Sequence, residues 1–443
     1  MLNGVIEGFY GRGWSALERR TLMDWMATAG MNTFVYAPKD DVHARARWRH
    51  LYSTGDLEGL RELNNEAAAR GILLFVAIAP CLDIAYSDPA EIELLIARFD
   101  QLLGAGIKGF ALLFDDIPNV LPEADRARFS SFAEAQAFVA NAAFEQINAA
   151  GGQMLFCPTE YCTRFAGGDV TKSPYLETLG NQLAEGIEVF WTGPEVVSPQ
   201  ISAASLEEIG RVLKRKPVIW ENFHANDYDL RRVIAGPLGG RDRNILQHVD
   251  GFITNPNNEL LANFVPIHTT GQFLAGPDYD EASALDNAIS DWRPQFELSF
   301  SENGETLSGE QIGLLVELFY QPFELGPRVA LTLSQCRAAL SVSRPDPGDA
   351  KWRGALHAVR KLSADIEALH VATTEMQNRD LFHTFNPYLL EAREEFSHLT
   401  QYLNWLDTGP AAEEVFPADQ FQNFYRRGPG VAVQEILKRD PAG

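Results

Sequence analysis

The sequence predicts a (β/α)8 barrel, followed by an all-α helical domain. Short apolar segments alternate with amphipathic helical stretches as far as residue 272, and strand signals stop after Phe273. The eight strand candidates are Gly4–Gly8, Asn32–Tyr36, Ile72–Ala79, Gly109–Phe114, Gln153–Cys157, Glu188–Thr192, Pro217–Glu221 and Gly251–Asn255. They are nearly continuously apolar, as expected for parallel strands covered by helices on both faces.

The order and length of these units favour a barrel over an open sheet. Eight β-then-α units within 272 residues match the size of a (β/α)8 barrel. The alternative, a doubly wound sheet, would carry a glycine-rich phosphate-binding turn after its first strand, and none is present. We therefore expect a barrel over residues 1–272, a connection over 273–308 and a helical C-terminal domain over 309–443. The helical candidates after the connection are Gln311–Phe319, Val329–Val342, Trp352–His370 and Pro387–Trp405.

Helix-start signals support the helices between the strands. Ser15 with Glu18 predicts a capping box at the first helix, and Ser205 with Glu208 predicts another before the seventh strand. Asp88-Pro89 provides a cap and a first-turn proline for the third helix.

Composition limits the function classes. The net charge of −23 argues against nucleic acid and anionic membranes as partners. It suits an enzyme acting on neutral or cationic substrates, although solubility alone would also explain it. Four cysteines in 443 residues make no disulfide framework, and no residue set indicates a metal or other cofactor. The N-terminus lacks signal-peptide features, so we expect a cytoplasmic protein unless a leader is missing.

Polar and aromatic residues follow the predicted strands, at the end of a barrel where active sites form. They are Gly8-Phe9-Tyr10, Lys39-Asp40-Asp41, Pro80-Cys81, Asp115-Asp116, Glu160-Tyr161, Trp191, Asn222 with Asp227, and Asn255 with Asn257. Carboxylates and amides can hydrogen-bond sugar hydroxyls, and aromatic rings offer a flat apolar face to a sugar ring. This set therefore predicts a sugar-binding site.

The adjacent acids Asp115 and Asp116 are the most informative pair. Two neighbouring carboxylates raise the pKa of one of them, which suits glycoside hydrolysis because one acid must protonate the leaving oxygen. Adjacent residues on a strand point to opposite faces, so the chain must leave strand geometry at Asp116 if both act on one substrate. The structural alternative is that one acid caps a helix or pairs with Lys or Arg.

Motifs in barrel order resemble glycoside hydrolase family 84, which includes protein O-GlcNAcases and bacterial β-N-acetylglucosaminidases. They are Gly4-Val5-Ile6-Glu7-Gly8-Phe9-Tyr10-Gly11-Arg12, Tyr36-Ala37-Pro38-Lys39-Asp40-Asp41, Phe114-Asp115-Asp116-Ile117, Cys157-Pro158-Thr159-Glu160-Tyr161-Cys162, Trp191-Thr192-Gly193-Pro194, Asn222-Phe223-His224-Ala225-Asn226-Asp227-Tyr228 and Thr254-Asn255-Pro256-Asn257. Further motifs, such as Leu318–Pro327 and Tyr402–Trp405, resemble the stalk domain of that family. Cys81 stands where the family pattern has a glycine, which puts the shape of that loop in doubt.

The resemblance implies a retaining exo-β-N-acetylglucosaminidase that uses substrate-assisted catalysis. Asp115 would orient the 2-acetamido group, whose carbonyl oxygen attacks the anomeric carbon to form an oxazoline. Asp116 would be the general acid and then the general base. The implied substrate-binding residues are Gly8, Lys39, Tyr161, Trp220, Asn222, Asp227 and Asn255. Lys39 could instead pair with Asp40 or Asp41, Tyr161 could be a packed tyrosine at the rim, and Trp220 could be a core residue.

The implied substrate carries terminal β-linked N-acetylglucosamine, including O-GlcNAc on serine or threonine of glycoproteins. The alternative is a non-catalytic module that binds the sugar and recruits glycosylated partners through the helical domain. A chitinase is the third reading, but its fourth strand should end in glutamate, which Asp115-Asp116-Ile117 does not match. By analogy with animal relatives, the helical domain could form a homodimer.

Overall fold

The computed structural model describes residues 1–276, 278–299, 303–341 and 346–411, with positions 414, 416, 433 and 436. These residues form two compact units. The first unit comprises Met1–Tyr228, Leu238–Leu260 and the described part of 270–279. The second unit comprises Asp229–Pro237, Leu261–Thr269 and the described residues from Asp280 onward. Val342 and most of the expected helical domain beyond residue 411 lie outside the described residues.

The first unit is built on a closed barrel of eight parallel strands in sequence order, which confirms the predicted fold class. The strands are β1 (Leu2–Glu7), β2 (Thr33–Tyr36), β3 (Leu73–Ile78), β4 (Gly109–Leu113), β5 (Gln153–Cys157), β6 (Ile187–Trp191), β7 (Val218–Glu221) and β8 (Gly251–Thr254). The barrel closes because β1 pairs with both neighbours, with Gly4 opposite Thr33 and Leu2 opposite Gly251. The strand residues are almost all buried, as their apolar composition predicts.

Helices connect the strands around the barrel. They are α1 (Ala16–Thr28), α2 (Thr54–Ala69), α3 (Pro89–Gly104), α4 (Phe132–Ala149), α5 (Pro174–Gln182) and α6 (Ala203–Leu213). After β7 the described connection contains the 3-10 helix Arg243–His248 in place of an α-helix, and α7 (Phe264–Ala275) follows β8. The helix that the sequence predicted between β7 and β8 is therefore replaced by a short 3-10 helix, because the segment between these strands is rich in glycine and proline.

Two of the three helix-start predictions are confirmed. Ser15 and Glu18 form the reciprocal capping box of α1. Asp88 caps α3 by accepting a hydrogen bond from the Ala90 N–H. The prediction at Ser205 and Glu208 is wrong, because α6 begins one turn earlier and its N-cap is Ser202, which accepts from the Ser205 N–H.

The second unit is helical. Its described elements from residue 280 onward include α8 (Glu281–Trp292), α9 (Gly309–Leu318), α10 (Pro327–Leu340), α11 (Ala350–Thr374) and α12 (Arg379–Asp407). Helix α8 lies within the stretch 273–308 that the sequence suggested as a connection. Helix α11 buries Trp352, Leu356, Val359, Leu362, Ile366 and Leu369, at the three- and four-residue spacing of one helix face. No helix within the described ranges is long and apolar enough to cross a membrane.

Candidate active site

A cavity of about 260 Å³ lies among the residues that follow the barrel strands. All nine residues predicted for the site line it: Gly8, Lys39, Asp115, Asp116, Tyr161, Trp220, Asn222, Asp227 and Asn255. Parallel strands in a barrel deliver their carboxyl ends to the same face, so residues far apart in sequence converge there. The nine predicted residues come from the ends of six strands, β1, β2, β4, β5, β7 and β8, and the cavity also contains residues that follow β6.

Asp115 is buried in the cavity wall two residues after β4. One of its carboxylate oxygens, Oδ2, accepts a hydrogen bond from the Lys39 ammonium. Burial opposes the charge on Lys39, but the Asp115 carboxylate outweighs it and raises the pKa of Lys39. The other oxygen, Oδ1, is buried and has no hydrogen-bond partner among the residues that the structure describes. Asp115 therefore keeps one acceptor atom for a donor from outside the protein.

The backbone at Asp116 does not have strand geometry, as expected if Asp115 and Asp116 are to act on one substrate. Its φ of 57° lies in the left-handed region, which only one other described non-glycine residue, Lys214, adopts. Its carboxylate accepts hydrogen bonds from two phenols, the Tyr161 hydroxyl at 2.6 Å and the Tyr10 hydroxyl at 2.9 Å. The change of backbone direction brings Asp115 and Asp116 to one cavity in two different environments.

Tyr161 lines the same cavity, and only 5% of the residue is exposed. Its hydroxyl donates to Asp116 Oδ1, and its ring packs edge-on against Phe165. Burial and the neighbouring Asp116 charge raise the pKa of Tyr161, so the phenol keeps its proton and acts as a donor.

Three predicted residues form one hydrogen-bonded chain along the cavity wall. The Gly8 N–H donates to Asn255 Oδ1 at 3.3 Å, and Asn255 Nδ2 donates to Asn222 Oδ1 at 2.9 Å. Asn222 Nδ2 in turn donates to the carbonyl of Val196 at 2.9 Å. This chain fixes the orientation of both amides, and it ties the ends of β1, β7 and β8 together.

Asp227 and Trp220 complete the predicted set. Asp227 accepts a hydrogen bond from the Tyr10 N–H at 2.8 Å, and burial raises the pKa of its carboxyl group. Trp220 is 5% exposed and packs edge-on against Phe190, and the Lys39 ammonium lies 5.7 Å from its ring centre. Trp220 is therefore both a core residue and part of the wall.

Several strand-end residues outside the predicted set have structural partners. Glu160 accepts hydrogen bonds from Asn119 and Ser173 and does not line the cavity. Asp40 accepts from the Gly13 N–H and Asp41 accepts from the Tyr36 hydroxyl, whereas Lys39 contacts Asp115. The alternative pairing of Lys39 with Asp40 or Asp41 is therefore not observed in the described residues.

Cys81, the departure from the family pattern, does not line the cavity. It lies in the 3-10 helix Pro80–Leu82, and its thiol donates to the Ala79 carbonyl at 3.8 Å.

Seven further residues line the cavity and lie outside the nine predicted site residues: Tyr10, Cys157, Thr192, Val196, Val197, Ala225 and Tyr228. Tyr10 was already among the strand-end residues that the sequence indicated, and Cys157 and Thr192 stand at or just beyond strand ends, where the same positional rule could have found them. Val196 and Val197 lie in the loop after β6, and no property of an apolar loop residue distinguishes a cavity wall from ordinary packing.

Similarity to known proteins identifies the family of this chain. A family model described as β-N-acetylglucosaminidase matches residues 3–302. Proteins named protein O-GlcNAcase from Mus musculus and Rattus norvegicus are each 46% identical over 268 residues. The match covers 60% of this chain and 29% of each relative, so the chain spans less than a third of their length.

The fold is similar to that of a solved mutant O-GlcNAc hydrolase from Thermobaculum terrenum. The TM-score is 0.78 at 25% identity, covering 99% of this chain and 93% of the other. The family match extends over well more than half of the chain and includes every residue of the cavity. The chain therefore belongs to the β-N-acetylglucosaminidase family of glycoside hydrolases, as the resemblance to family 84 predicted.

Proposed function

We propose that this chain is a retaining exo-β-N-acetylglucosaminidase that removes terminal β-linked N-acetylglucosamine. The observation that carries the proposal is the pair Asp115 and Asp116, which line one cavity but accept hydrogen bonds from different groups, an ammonium and two phenols respectively. The cavity, at about 260 Å³, is small for a ligand pocket and suits a single sugar residue. That size supports the removal of a terminal sugar rather than cleavage within a polysaccharide.

The two acids have the properties that substrate-assisted catalysis needs. Asp115 has a buried oxygen able to accept the N–H of a 2-acetamido group, while Lys39 stabilises its negative charge. That interaction would hold the acetamido carbonyl oxygen against the anomeric carbon, and the oxazoline would form as the glycosidic bond breaks. Asp116, exposed on one side, would protonate the leaving oxygen and later take a proton from the attacking water.

The other cavity residues would bind the sugar. Tyr161 is a phenol donor beside Asp116, suited to the acetamido or oxazoline oxygen. Asn222 would contact the acetamido region, and Trp220 would wall the acetyl pocket. Asp227 would bind the 4- and 6-hydroxyls, and Asn255 would face the 3-hydroxyl. Lys39 and the Gly8 backbone would contact further hydroxyls.

The proposed natural substrate is O-GlcNAc on serine or threonine of proteins. The names of the mouse and rat relatives support this choice. We also propose a catalytic module over residues 1–272, a connection over 273–308 and a helical C-terminal domain over 309–443. A cytoplasmic location is supported by four cysteines that are all free and buried. A homodimer through the helical domain is supported only by the stalk-like motifs.

The test is the hydrolysis of aryl β-N-acetylglucosaminides by Asp115→Asn and Asp116→Asn variants. We expect each variant to lose about 10²- to 10⁴-fold in kcat/KM, the usual contribution of such a group. The loss of kcat/KM in Asp116→Asn should increase with the basicity of the leaving group, because a more basic leaving group depends more on protonation. Asp83→Asn is the matched control, since this exposed acid also follows a barrel strand but lies outside the cavity.

The same assay tests substrate assistance when the N-acetyl methyl group carries one, two or three fluorines. Each fluorine makes the carbonyl oxygen a weaker nucleophile, so the rate should fall steeply along the series. Rates indifferent to fluorine would rule out the oxazoline route. Wild-type turnover in both acid variants would remove the catalytic assignment altogether, and sugar binding without turnover by the unaltered protein would favour the non-catalytic module.

A further inference from the structure

Arg45 is a charged residue close to the cavity that has no role in the proposed mechanism. It lies nine residues after β2, in the turns before α2, and its side chain is partly buried. Its Nη1 group lies 3.3 Å from the Tyr10 hydroxyl oxygen, and its guanidinium carbon lies 5.6 Å from the centre of the Tyr10 ring. Tyr10 in turn contacts Asp116 at 2.9 Å. A single phenol therefore connects the guanidinium to the proposed general acid.

The direction of these hydrogen bonds is fixed by chemistry. A guanidinium group has only donors, so the Tyr10 oxygen must accept from Arg45. The single phenolic proton is then free to point at Asp116 Oδ2, away from the positive charge. Burial and the negative charge of Asp116 raise the pKa of Tyr10 by more than the positive charges of Lys39 and Arg45 lower it, so this proton stays on the phenol. Asp116 thus receives a hydrogen bond that stabilises its carboxylate form.

We propose that Arg45 is a positioning residue that holds the Tyr10 hydroxyl in the orientation in which it donates to Asp116, the proposed general acid. This inference rests on the proposed function, because it assigns that role to Asp116. Without Arg45, the Tyr10 proton is no longer directed at Asp116, and the carboxylate loses part of its stabilisation.

Other titratable groups also lie near Asp116 and Arg45, and their influence on the pH profile must be distinguished from that of Arg45. Those around Asp116 and Arg45 are Tyr10 after β1, Lys39 after β2, Cys81 after β3, Asp115 after β4, Cys157 and Tyr161 on and after β5, and Asp227 after β7. Arg45 also lies within electrostatic range of Asp115 and Cys81. A direct effect of Arg45 on Asp115 would not depend on the Tyr10 hydroxyl, and this difference allows a clean test.

The experiment is a pH profile of kcat/KM on an aryl β-N-acetylglucosaminide for Arg45→Met, Tyr10→Phe and the double variant. In the proposed mechanism the alkaline limb reports loss of the proton from Asp116 in the free enzyme. We expect Arg45→Met to move this limb upward by about 0.5 to 1 pH unit, as for loss of a partly screened neighbouring charge. Arg45→Lys, which keeps a cationic donor, should restore much of the wild-type limb.

The double variant decides whether the effect passes through Tyr10. In the Tyr10→Phe background, Arg45→Met should produce no further shift of the alkaline limb, because the connecting hydroxyl is already gone. Arg47→Met is the matched control: it removes the same charge from an exposed residue two positions away and should leave the profile unchanged. Thermal melts of every variant check folding, and Arg45→Gln replaces Arg45→Met if that variant does not fold.

The inference is overturned if Arg45→Met leaves the alkaline limb in place, or if the shift persists in full without the Tyr10 hydroxyl. Failure of the proposed function looks different, because Asp116→Asn would then keep the wild-type profile whatever Arg45 does.

Discussion

At the scale of single residues, Asp116 carries a backbone conformation that works against folding. A left-handed conformation costs a non-glycine residue roughly 1–2 kcal/mol. Asp is among the residues that tolerate it best, because a short polar side chain can form local hydrogen bonds. The turn brings the Asp116 carboxylate to the same cavity as Asp115, although neighbouring strand residues point apart. The strain is thus located where the two acids must meet.

At position 8 the packing of the cavity requires a glycine, and the Gly8→Ala substitution tests this requirement. A Cβ atom at this position would lie 2.6 Å from Trp220 Cζ2 and 3.1 Å from Ile6 Cγ1. Because Trp220 is buried in the cavity wall, the added methyl group must displace it. We expect unfolding to become easier by about 1–3 kcal/mol, the usual cost of overpacking, and KM to rise. Chemical denaturation and steady-state kinetics measure the two effects.

Gly104→Ala is the control for this substitution. Gly104 is the last residue of α3, and a Cβ atom there meets nothing within 4 Å. The change should leave kinetics unaltered and stabilise the fold by up to about 1 kcal/mol. Equal effects of the two alanines would contradict the proposed contact between position 8 and Trp220.

At the scale of elements, helix α6 shows how a boundary can be misplaced while the helix itself is predicted. Ser205 and Glu208 have the spacing of a capping box, but Ser202 has the same capping chemistry one turn earlier. Local sequence offered two serines as helix starts, and the structure places the first turn at Ala203. Capping residues identify that a helix begins nearby more reliably than they identify its first residue.

Two substitutions in α6 distinguish the boundaries. Ser202→Ala should lower the free energy of unfolding by about 1 kcal/mol, since it removes the acceptor for the Ser205 N–H. Glu208→Ala should change it by less than about 0.5 kcal/mol, because Glu208 holds no position in the cap. Denaturant titrations of both variants measure the difference. A larger cost at Glu208 than at Ser202 would restore the boundary that the sequence suggested.

At the scale of the whole molecule, the four cysteines are dispersed and inaccessible. Cys81, Cys157, Cys162 and Cys336 are all free and buried. Burial raises the pKa of Cys81 to about 11 and that of Cys336 to about 12, and it also raises the pKa values of Cys157 and Cys162. At neutral pH these groups are therefore thiols, which are poor nucleophiles.

A thiol titration at pH 8 follows from this arrangement. The folded protein should react with less than about one equivalent of an aromatic disulfide reagent within minutes, because the reaction needs an accessible thiolate. All four cysteines should react at once after unfolding in denaturant. A Cys81→Ser variant identifies the source of any residual signal, since Cys81 is the most exposed of the four at 9%. Rapid reaction of two or more thiols in the folded protein would contradict the described packing.

The barrel, the order of its strands and the family of the chain could all be predicted from the amino-acid sequence. Periodicity and turn residues are local properties that locate each strand in the sequence. Because parallel barrel strands all end at the same face, Asp115, Asn222 and Asn255 could be assigned to one site from their strands alone. The adjacency of Asp115 and Asp116 in the sequence also predicted a change of backbone direction at Asp116. These inferences needed no knowledge of which side chains touch.

The contacts between individual side chains could be identified only in the folded chain. From the sequence, Lys39 could pair with Asp40 or Asp41, whereas the folded chain brings it to Asp115, because the partner depends on how two loops meet in space. Tyr10, Val196 and Arg45 likewise reach the site through loops, whose conformations follow from packing between residues distant in sequence. Hydrogen bonds between such residues have no periodicity that a sequence could display. The strand ends thus locate the chemistry, and the loops determine the partners of each reacting group.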